Sequence, residues 1–530
     1  MNRGFSKDSL DNPNKSKKFF YRKLMEKAFF AQKNKNLEEA INIYQELYSL
    51  NIKNPIIYFN YGLLLETTNN FKKANEIYLK AIKKFPNNPN FYNKLALLRK
   101  NQNKYKEAEK LFFKAIEIDK NFENGYINLG NLYSDLKNNK KAEEIYRQVL
   151  RINSNSELVN LNLGTILVDK GELEEAKKLF LKTIKINPQS ANAFFSLSKF
   201  KEIKNNEAFK KNLFNEKLLK KQNELAKANI FFARSNVNHL EKNFNDSKKN
   251  LILANTIKLK IFQSDAEKRI NFTNYVYKNN SNINFINDCY LQKKNHLFIV
   301  GMPRSGSTLV ESIISQNSNV FDLGETEALP YSYKKWLQNK KKEALLDIYN
   351  EEIKVNLINN QIITDKNLSN YSLVPIILEQ IKGSKIIYCY RNPLDNILSI
   401  YRANFIGGYS YSSSLIDTSK VLLNAQKIMH IYKKLFPKNI YSVNYDSLVT
   451  NPESEIPKLI EWLNFEWDKK YLAPHLNRRS VYTTSKIQVR YPINNKSLLG
   501  WKNYRDLLLP VIDFFKKHEF DSSLSNLKGS

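Results

Sequence analysis

Cysteine and long apolar stretches are scarce in this sequence. Among 530 residues there are two cysteines, Cys289 and Cys389, which are too few for a disulfide framework. The first twenty residues contain no apolar segment of the kind that secretory signals carry. No apolar run approaches the roughly 18 residues that a membrane-spanning helix needs. These absences predict a cytoplasmic protein in a reducing compartment, without membrane spans.

Clustered metal ligands are scarce as well. The five histidines lie far apart along the chain, and they do not group with cysteines or acidic residues at the spacing of a metal site. They are His239, His296, His430, His475 and His518. We therefore predict that function requires no metal ion.

Acidic residues are outnumbered by basic ones. The chain has 84 Lys and Arg against 52 Asp and Glu, which gives a net charge of +32. Such an excess can indicate a nucleic-acid or membrane-surface partner. Here the lysines are spread along the whole chain beside many asparagines, so we predict no nucleic-acid partner. A positive cleft would still attract an anionic cofactor or an acidic substrate.

A period of 34 residues runs through the first two hundred residues. Alanine recurs at this period, a small residue stands twelve positions before each alanine, and an aromatic residue stands four positions after it. The alanines are Ala40, Ala74, Ala108, Ala142 and Ala176; the small residues are Ala28, Gly62, Ala96, Gly130 and Gly164; the aromatics are Tyr44, Tyr78, Phe112, Tyr146 and Phe180. Small residues let the two helices of a repeat approach closely, and the aromatics fill the space between repeats.

This pattern resembles the tetratricopeptide repeat. Five full units begin near Tyr21, Pro55, Pro89, Glu123 and Glu157. The resemblance implies an α-solenoid, and solenoids of this type usually bind a peptide or protein on their concave surface. A purely structural spacer or dimerisation arm is the alternative.

The repeats and the composition divide the chain into four parts. Residues 1–18 are polar, and we predict that they are disordered. The repeat array covers residues 19–201, where a sixth unit starts and then loses the pattern. Residues 202–290 form a connector, in which residues 230–260 predict one degenerate helical pair. The second domain covers residues 291–530.

In the second domain, short β-rich runs alternate with helical patterns. The candidate strands are Leu297–Val300, Gln361–Thr364, Lys385–Tyr390 and Ile440–Asn444. This alternation predicts an α/β domain with a parallel sheet and helices on both faces. Ligands of parallel sheets bind at the carboxyl ends of the strands, which is where the chemically interesting residues follow in this sequence.

The segment GMPRSGST, residues 301–308, follows the first predicted strand and leads into a helix. Backbone N–H groups at such a junction bind phosphate. The segment fits the Walker A pattern G-x-x-x-x-G-K-[ST], except that Ser307 replaces the lysine that contacts the β- and γ-phosphates of a triphosphate. The missing lysine argues against triphosphate hydrolysis. Arg304 can instead pair bidentately with a phosphate or sulfate.

A second anion-binding pair is predicted after residues 385–390. Arg391 follows this strand directly, and Pro393 suits the first turn of a helix. Ser399 stands eight residues after Arg391, two turns into that helix. Together they can hold one further phosphate.

The two segments together resemble the sulfotransferases that use 3′-phosphoadenosine 5′-phosphosulfate, especially the bacterial tetratricopeptide-linked members and the protein-tyrosine sulfotransferases. The resemblance implies that the loop binds the 5′-phosphosulfate, that a second pair binds the 3′-phosphate, that one tyrosine lies beside adenine, and that residues of the segment 477–504 close over the cofactor. The implied 5′-phosphosulfate residues are Arg304, Ser305, Gly306, Ser307 and Thr308, and the implied 3′-phosphate pair is Arg391 and Ser399. The implied adenine-side tyrosine is Tyr445, and the residues implied to close over the cofactor are Ser485, Arg490 and Lys496.

The resemblance further implies sulfuryl transfer to an acceptor hydroxyl, with adenosine 3′,5′-bisphosphate as product and no metal. An attacking hydroxyl must lose a proton, so a carboxylate is needed as general base. Glu325 is the candidate. Glu327 is the alternative, because the spacing from the loop is one residue longer than in the tyrosine sulfotransferases. Lys366 and Arg304 are implied to stabilise the charge that grows on the leaving oxygen.

Three kinds of acceptor remain open: a peptide tyrosine, a glycan and a small metabolite. The repeats are expected to recruit the acceptor or a partner protein. A function of another class is an interaction scaffold whose sulfotransferase-like domain binds nucleotide without turnover. The presence of Arg304, Lys366, Arg391 and Ser399 favours the enzyme.

Overall fold

A computed structural model of the chain describes residues 13–280, 296–353, 361–405, 407–477 and 479–518. The chain divides into two compact units, one up to Ile166 and one from Leu167 onward. The first helix already begins at Pro13, inside the segment that we predicted as disordered, and residues 1–12 lie outside the described residues. Cys289 lies outside them as well. Within the described residues, no helix combines the length and apolar character that crossing a bilayer requires.

Paired helices at the predicted 34-residue period form the N-terminal part of the chain, up to Ile186. They are α1 (Pro13–Lys33), α2 (Leu37–Ser49), α3 (Pro55–Thr67), α4 (Phe71–Lys84), α5 (Pro89–Asn101), α6 (Tyr105–Ile118), α7 (Glu123–Asp135), α8 (Asn139–Ile152), α9 (Glu157–Lys170) and α10 (Leu173–Ile186). Asparagines cap the starts of several of these helices: the side chains of Asn36, Asn70 and Asn138 accept hydrogen bonds from the first turns of α2, α4 and α8. The predicted α-solenoid is therefore confirmed.

The periodic small and aromatic residues pack as the pattern predicts. Ala40, Ala74 and Tyr44 are fully buried in the core of the first repeats. A Cβ atom on Gly62 would clash with the ring of Tyr78, so the helices can approach this closely only where the side chain is absent.

Further helices continue the chain after the repeats. They are α11 (Ala191–Leu197), α12 (Glu207–Leu213), α13 (Glu224–Leu240), α14 (Phe244–Ile261) and α15 (Ala266–Asn280). The helical pair that we predicted over residues 230–260 is observed as α13 and α14, which begin six residues earlier, at Glu224. The compact units divide inside the fifth repeat. The domain boundaries that the sequence pattern places at 18, 201 and 290 stay a prediction.

A parallel sheet forms the centre of the second unit. Within the described residues its strands are β1 (His296–Gly301), β2 (Val320–Asp322), β3 (Ile362–Asp365), β4 (Lys385–Tyr390) and β5 (Ile440–Asn444), in the spatial order β2-β3-β1-β4-β5. All neighbouring strands pair in parallel. The sequence predicted four of these strands and missed β2, which has only three residues. The predicted α/β class is confirmed.

Helices cover both faces of this sheet. They are α16 (Ser307–Ile314), α17 (Ala328–Gln338), α18 (Leu345–Ile353), α19 (Val374–Gln380), α20 (Pro393–Tyr401), α21 (Leu415–Leu435), α22 (Tyr445–Thr450), α23 (Pro452–Trp462) and α24 (Arg505–Lys517). Successive residues of β1 alternate between the two cores: Phe298 packs with residues of α13–α15, and Ile299 packs with residues of α16 and α23. The carboxyl ends of the strands stay accessible to the loops that carry the site.

Candidate active site

The phosphate loop joins β1 to α16 as the sequence predicts. Arg304 and Gly306 adopt positive φ angles of 66° and 94°, and Gly306 is the N-cap residue of α16. The amide groups in the first turn of a helix have no partner within the helix, so they favour an anion at this end. Ser307 and Thr308 form the first turn and are buried. The loop therefore has the backbone of an anion-binding junction.

Tyr445 closes one side of the loop. A Cβ atom on residue 306 would clash with its ring, so the close approach needs glycine at this position. The Tyr445 hydroxyl lies 3.0 Å from Ser497 Oγ. The guanidinium of Arg391 lies over the Tyr445 ring, 4.6 Å from its centroid. The predicted adenine-side tyrosine thus contacts both the loop and the second predicted arginine.

Arg304 joins three segments that are far apart in the sequence. Its Nε donates to Ser399 Oγ at 3.1 Å, one terminal nitrogen donates to Ser485 Oγ, and the other donates to Gln488 Oε1 at 2.6 Å. Burial, with a contribution from Arg391, lowers the pKa of Arg304 to about 10, so the guanidinium stays charged at neutral pH. The structure therefore brings Arg304, Ser399 and Ser485 together.

Arg391 lies at the end of β4 and faces the same region. Its terminal nitrogens donate to the carbonyl oxygens of Arg304 and Ser497 at 3.5 and 3.2 Å. Its Nε and the hydroxyl of Ser305 are buried without a hydrogen-bond partner among the described residues. Buried polar atoms without partners are costly, and a bound anion would satisfy them. The orphaned atoms fit a site that holds phosphate groups.

Lys366 follows β3 and is fully buried. Its Nζ lies 3.1 Å from Glu311 Oε2 and 3.6 Å from Glu325 Oε1. Burial raises the pKa of the preceding Asp365 to about 7, and this carboxylate accepts a hydrogen bond from the backbone N–H of Asn367. Asp365 therefore shapes the turn, while Lys366 points at the two glutamates.

The two candidate bases have different neighbours. Glu325 lies beside Lys366, with 39% of its side chain exposed. Glu327 is the N-cap residue of α17, and its Oε1 accepts a hydrogen bond from Asn367 Nδ2 at 3.2 Å. Burial is the main cause that raises the pKa of Tyr409, and the nearby charges of Glu325 and Glu327 raise it further. Both glutamates therefore border the same corner of the site.

Two predicted cofactor residues are placed differently from the expectation. The guanidinium of Arg490 donates hydrogen bonds to the backbone oxygens of Asn477, Asp169 and Arg479. These bonds join segments of the backbone to one another, and none of them reaches the phosphate loop. Lys496 is exposed, and its described hydrogen bond is made by its backbone. Their neighbours make the contacts to the site instead: Gln488 contacts Arg304, and Ser497 contacts Arg391 and Tyr445. Spacing could not separate residues so close together in an irregular segment.

A buried acidic residue of the site was also missed. Glu311, on α16, is 1% exposed and pairs with both Lys366 and Arg479, the latter at 2.8 Å. Arg479 in turn pairs with Asp322 of β2. A glutamate on the apolar face of a short helix is unusual, and that was the available signal. Among the described residues, no three His, Cys, Asp or Glu side chains are grouped as a metal site would require.

Comparisons with known proteins match both halves of the chain. Residues 296–469 match the model of the sulfotransferase family. Tetratricopeptide repeat models match residues 31–89, 77–110, 124–156 and 159–190. The fold defines a helical repeat array followed by an α/β domain with a parallel sheet. These matches confirm that the first part resembles tetratricopeptide repeats and that the second part resembles the sulfotransferase family.

Individual relatives cover parts of the chain. An uncharacterized protein of Aquifex aeolicus (strain VF5) is 32% identical over 253 residues, which are 43% of this chain and 33% of that protein. Protein-tyrosine sulfotransferase A of Caenorhabditis elegans is 22% identical over 239 residues, 40% of this chain and 63% of that protein. The chain thus spans less than two thirds of either curated relative. Among solved structures, a tetratricopeptide repeat protein from Parabacteroides merdae is 16% identical to this chain in sequence, with a TM-score of 0.34. The match covers 45% of this chain and 93% of the Parabacteroides merdae chain.

Proposed function

We propose that the α/β domain transfers a sulfuryl group from 3′-phosphoadenosine 5′-phosphosulfate to an acceptor hydroxyl. The observation that carries this proposal is the convergence of Arg304, Arg391 and Ser399 beside a phosphate loop that lacks the triphosphate-binding lysine. The match of this domain to the sulfotransferase family supports it. The donor, when bound, supplies the sulfuryl group.

The residues around the loop fit such a donor. Loop N–H groups, Ser307 and Thr308 would hold its 5′ end, and Ser305 would contribute the hydroxyl that is otherwise unsatisfied. Arg391 and Ser399 would hold the 3′-phosphate, since the guanidinium offers paired donors. In the C-terminal segment, Ser485, Gln488 and Ser497 would secure the two arginines, while Arg490 would hold the backbone and Lys496 would lie at the rim. Tyr445 would provide a flat surface for the adenine.

Proton removal from the acceptor falls to a carboxylate. Glu325 would accept the proton of the hydroxyl, because it is partly exposed to an entering acceptor and lies beside Lys366. Lys366 is fully buried, so its charge acts in a poorly screened environment. Together with Arg304, it would stabilise the negative charge that grows on the leaving oxygen. Glu327, which is held by Asn367, is the alternative base.

Binding of the product nucleotide tests the proposal directly. Isothermal calorimetry with adenosine 3′,5′-bisphosphate should show binding that does not depend on magnesium. Arg304→Ala and Arg391→Ala should each weaken it by at least tenfold, since charge-assisted bonds to phosphate contribute about 1.5–3 kcal/mol each. Magnesium-dependent binding of ATP in place of the bisphosphate would refute the proposal.

Transfer activity distinguishes the two glutamates and the inactive scaffold. Glu325→Gln should keep nucleotide affinity and lose transfer by at least a hundredfold, while Glu327→Gln serves as the matched variant. If only Glu327→Gln loses transfer, then Glu327 is the base. Normal nucleotide binding with no transfer to any acceptor would favour the scaffold.

We further propose that the repeat array recruits the acceptor or a protein partner. Repeats of this class generally present a concave protein-binding surface. A radiolabelled sulfuryl donor, incubated with the full chain and a cell lysate, should label a component whose size separates a protein from a glycan or a small metabolite. Label that appears only in small molecules would argue against recruitment of a protein acceptor by the repeats.

A further inference from the structure

Residues 479–491 form a strap that crosses the phosphate loop. In this strap, Ser485 and Gln488 accept hydrogen bonds from Arg304, and Thr483 Oγ1 lies 3.2 Å from Thr308 Oγ1. The position of the Arg304 guanidinium therefore depends on the strap as well as on the loop. The strap contains only one short 3₁₀ turn, so its own backbone does not fix its path.

The strap is attached to the fifth repeat at Asp169, near the end of α9. The Asp169 carboxylate lies 2.5 Å from Lys486 Nζ. Its backbone oxygen accepts two further hydrogen bonds, from Val481 N and from a terminal nitrogen of Arg490, both at 2.9 Å. Asp169 is 7% exposed, so these bonds are made in a largely water-free environment. Its side chain and its backbone thus hold both ends of the strap.

Gly171 lies two residues after Asp169, in the turn that follows α9, and it distinguishes the fifth repeat from the four earlier ones. Each repeat has a residue with positive φ at this position, and the set is Lys35, Asn69, Asn103, Lys137 and Gly171. The conformation alone does not require glycine, because lysine and asparagine adopt it in the four earlier repeats. A Cβ atom on Gly171 would lie 2.8 Å from Arg490 Nε. A side chain at position 171 would therefore have to displace the Arg490 guanidinium, which hydrogen bonds to Asn477, Asp169 and Arg479 hold in place.

We propose that Asp169 and Gly171 are positioning residues for the nucleotide site: the turn of the fifth repeat holds the strap, and the strap holds Arg304. This inference rests on the proposed function of the α/β domain. It assigns to the fifth repeat a role in shaping the nucleotide site, which is separate from binding a partner on the concave surface.

Calorimetry on the full chain with adenosine 3′,5′-bisphosphate tests the inference. Gly171→Asn keeps a residue type that tolerates the backbone conformation but fills the space of Arg490, and it should weaken nucleotide binding about tenfold. Asp169→Ala should weaken it about threefold or more, and Asp169→Glu, which keeps the carboxylate, should restore part of the affinity. Asp135→Ala is the matched control, because Asp135 occupies the same position one repeat earlier and pairs with Lys100.

A double variant separates positioning from general loss of structure. If Gly171 acts through the strap, Gln488→Ala should weaken binding in the wild-type chain and add little in the Gly171→Asn chain. Wild-type affinity in both Gly171→Asn and Asp169→Ala, or fully additive effects with Gln488→Ala, would overturn the inference. Absence of binding by the wild-type chain would instead overturn the proposed function.

Discussion

Replacing Glu311 with alanine should strongly destabilise the α/β domain, because it removes a buried carboxylate. Glu311 Oε2 lies 3.1 Å from Lys366 Nζ and 2.8 Å from a terminal nitrogen of Arg479, and Glu311 is 1% exposed. In Glu311→Ala, Arg479 keeps its pair with Asp322. Among the residues that the structure describes, Lys366 then keeps the ion pair with Glu325, which is 3.6 Å away and partly exposed. A fully buried lysine charge therefore loses its closest partner.

The expected loss of stability follows from this geometry. Removing one partner of a buried ion pair typically costs about 3–5 kcal/mol, because the remaining charge stays desolvated. Glu311→Gln keeps the volume and an acceptor oxygen but not the charge, so we expect a smaller loss of about 1–3 kcal/mol. Burial raises the pKa of Glu311, but Arg479 and Lys366 outweigh it, and the net pKa lies below the ordinary value. This contribution to stability is therefore present above pH 4.5 and is lost as the pH falls further.

Urea unfolding followed by tryptophan fluorescence measures this loss in the right domain. The four tryptophans all lie between residues 336 and 501, so the signal reports on the α/β domain and not on the repeats. Glu455→Ala is the control, since its pair with Lys458 at 2.7 Å is exposed and should contribute less than about 1 kcal/mol. A loss below about 1 kcal/mol in Glu311→Ala would refute the reasoning that this buried pair is structurally required.

Three further predictions concern close packing and pH. Gly306→Ala should displace the Tyr445 ring and weaken binding of adenosine 3′,5′-bisphosphate about tenfold or more, as calorimetry would show; unchanged affinity would contradict it. Gly62→Ala should push against the Tyr78 ring and lower the unfolding free energy of the repeats by about 1–3 kcal/mol, measured by circular dichroism in urea. Burial lowers the pKa of His239 from 6.5 to about 3, so below pH 6.5 the unfolded chain protonates this histidine and the folded chain does not. The free energy of unfolding should therefore fall by about 2 kcal/mol between neutral pH and pH 5. His239→Gln should remove that part of the pH dependence of urea unfolding, and an unchanged pH profile would contradict the assignment.

The sequence by itself determined the features that arise from local regularity. The 34-residue period predicted the helix starts at Pro55, Pro89, Glu123 and Glu157, because helix pairs stack only when small residues recur in register. The strand, glycine-rich turn and helix around Arg304 were equally predictable, since each depends on adjacent residues. Cofactor and catalytic roles of single residues stay predictions.

Tertiary structure alone decided which distant residues meet at the loop. Gln488 lies 184 positions from Arg304, and Lys486 lies 317 positions from Asp169, so no local pattern links the members of either pair. The segment from 479 to 504 has no helical or strand periodicity, and its path is set by side chains that find partners on other elements. The position of Glu311 on an apolar helix face signals a buried acid, but its partners Lys366 and Arg479 are identified only once α16, β3 and the strap are assembled around it.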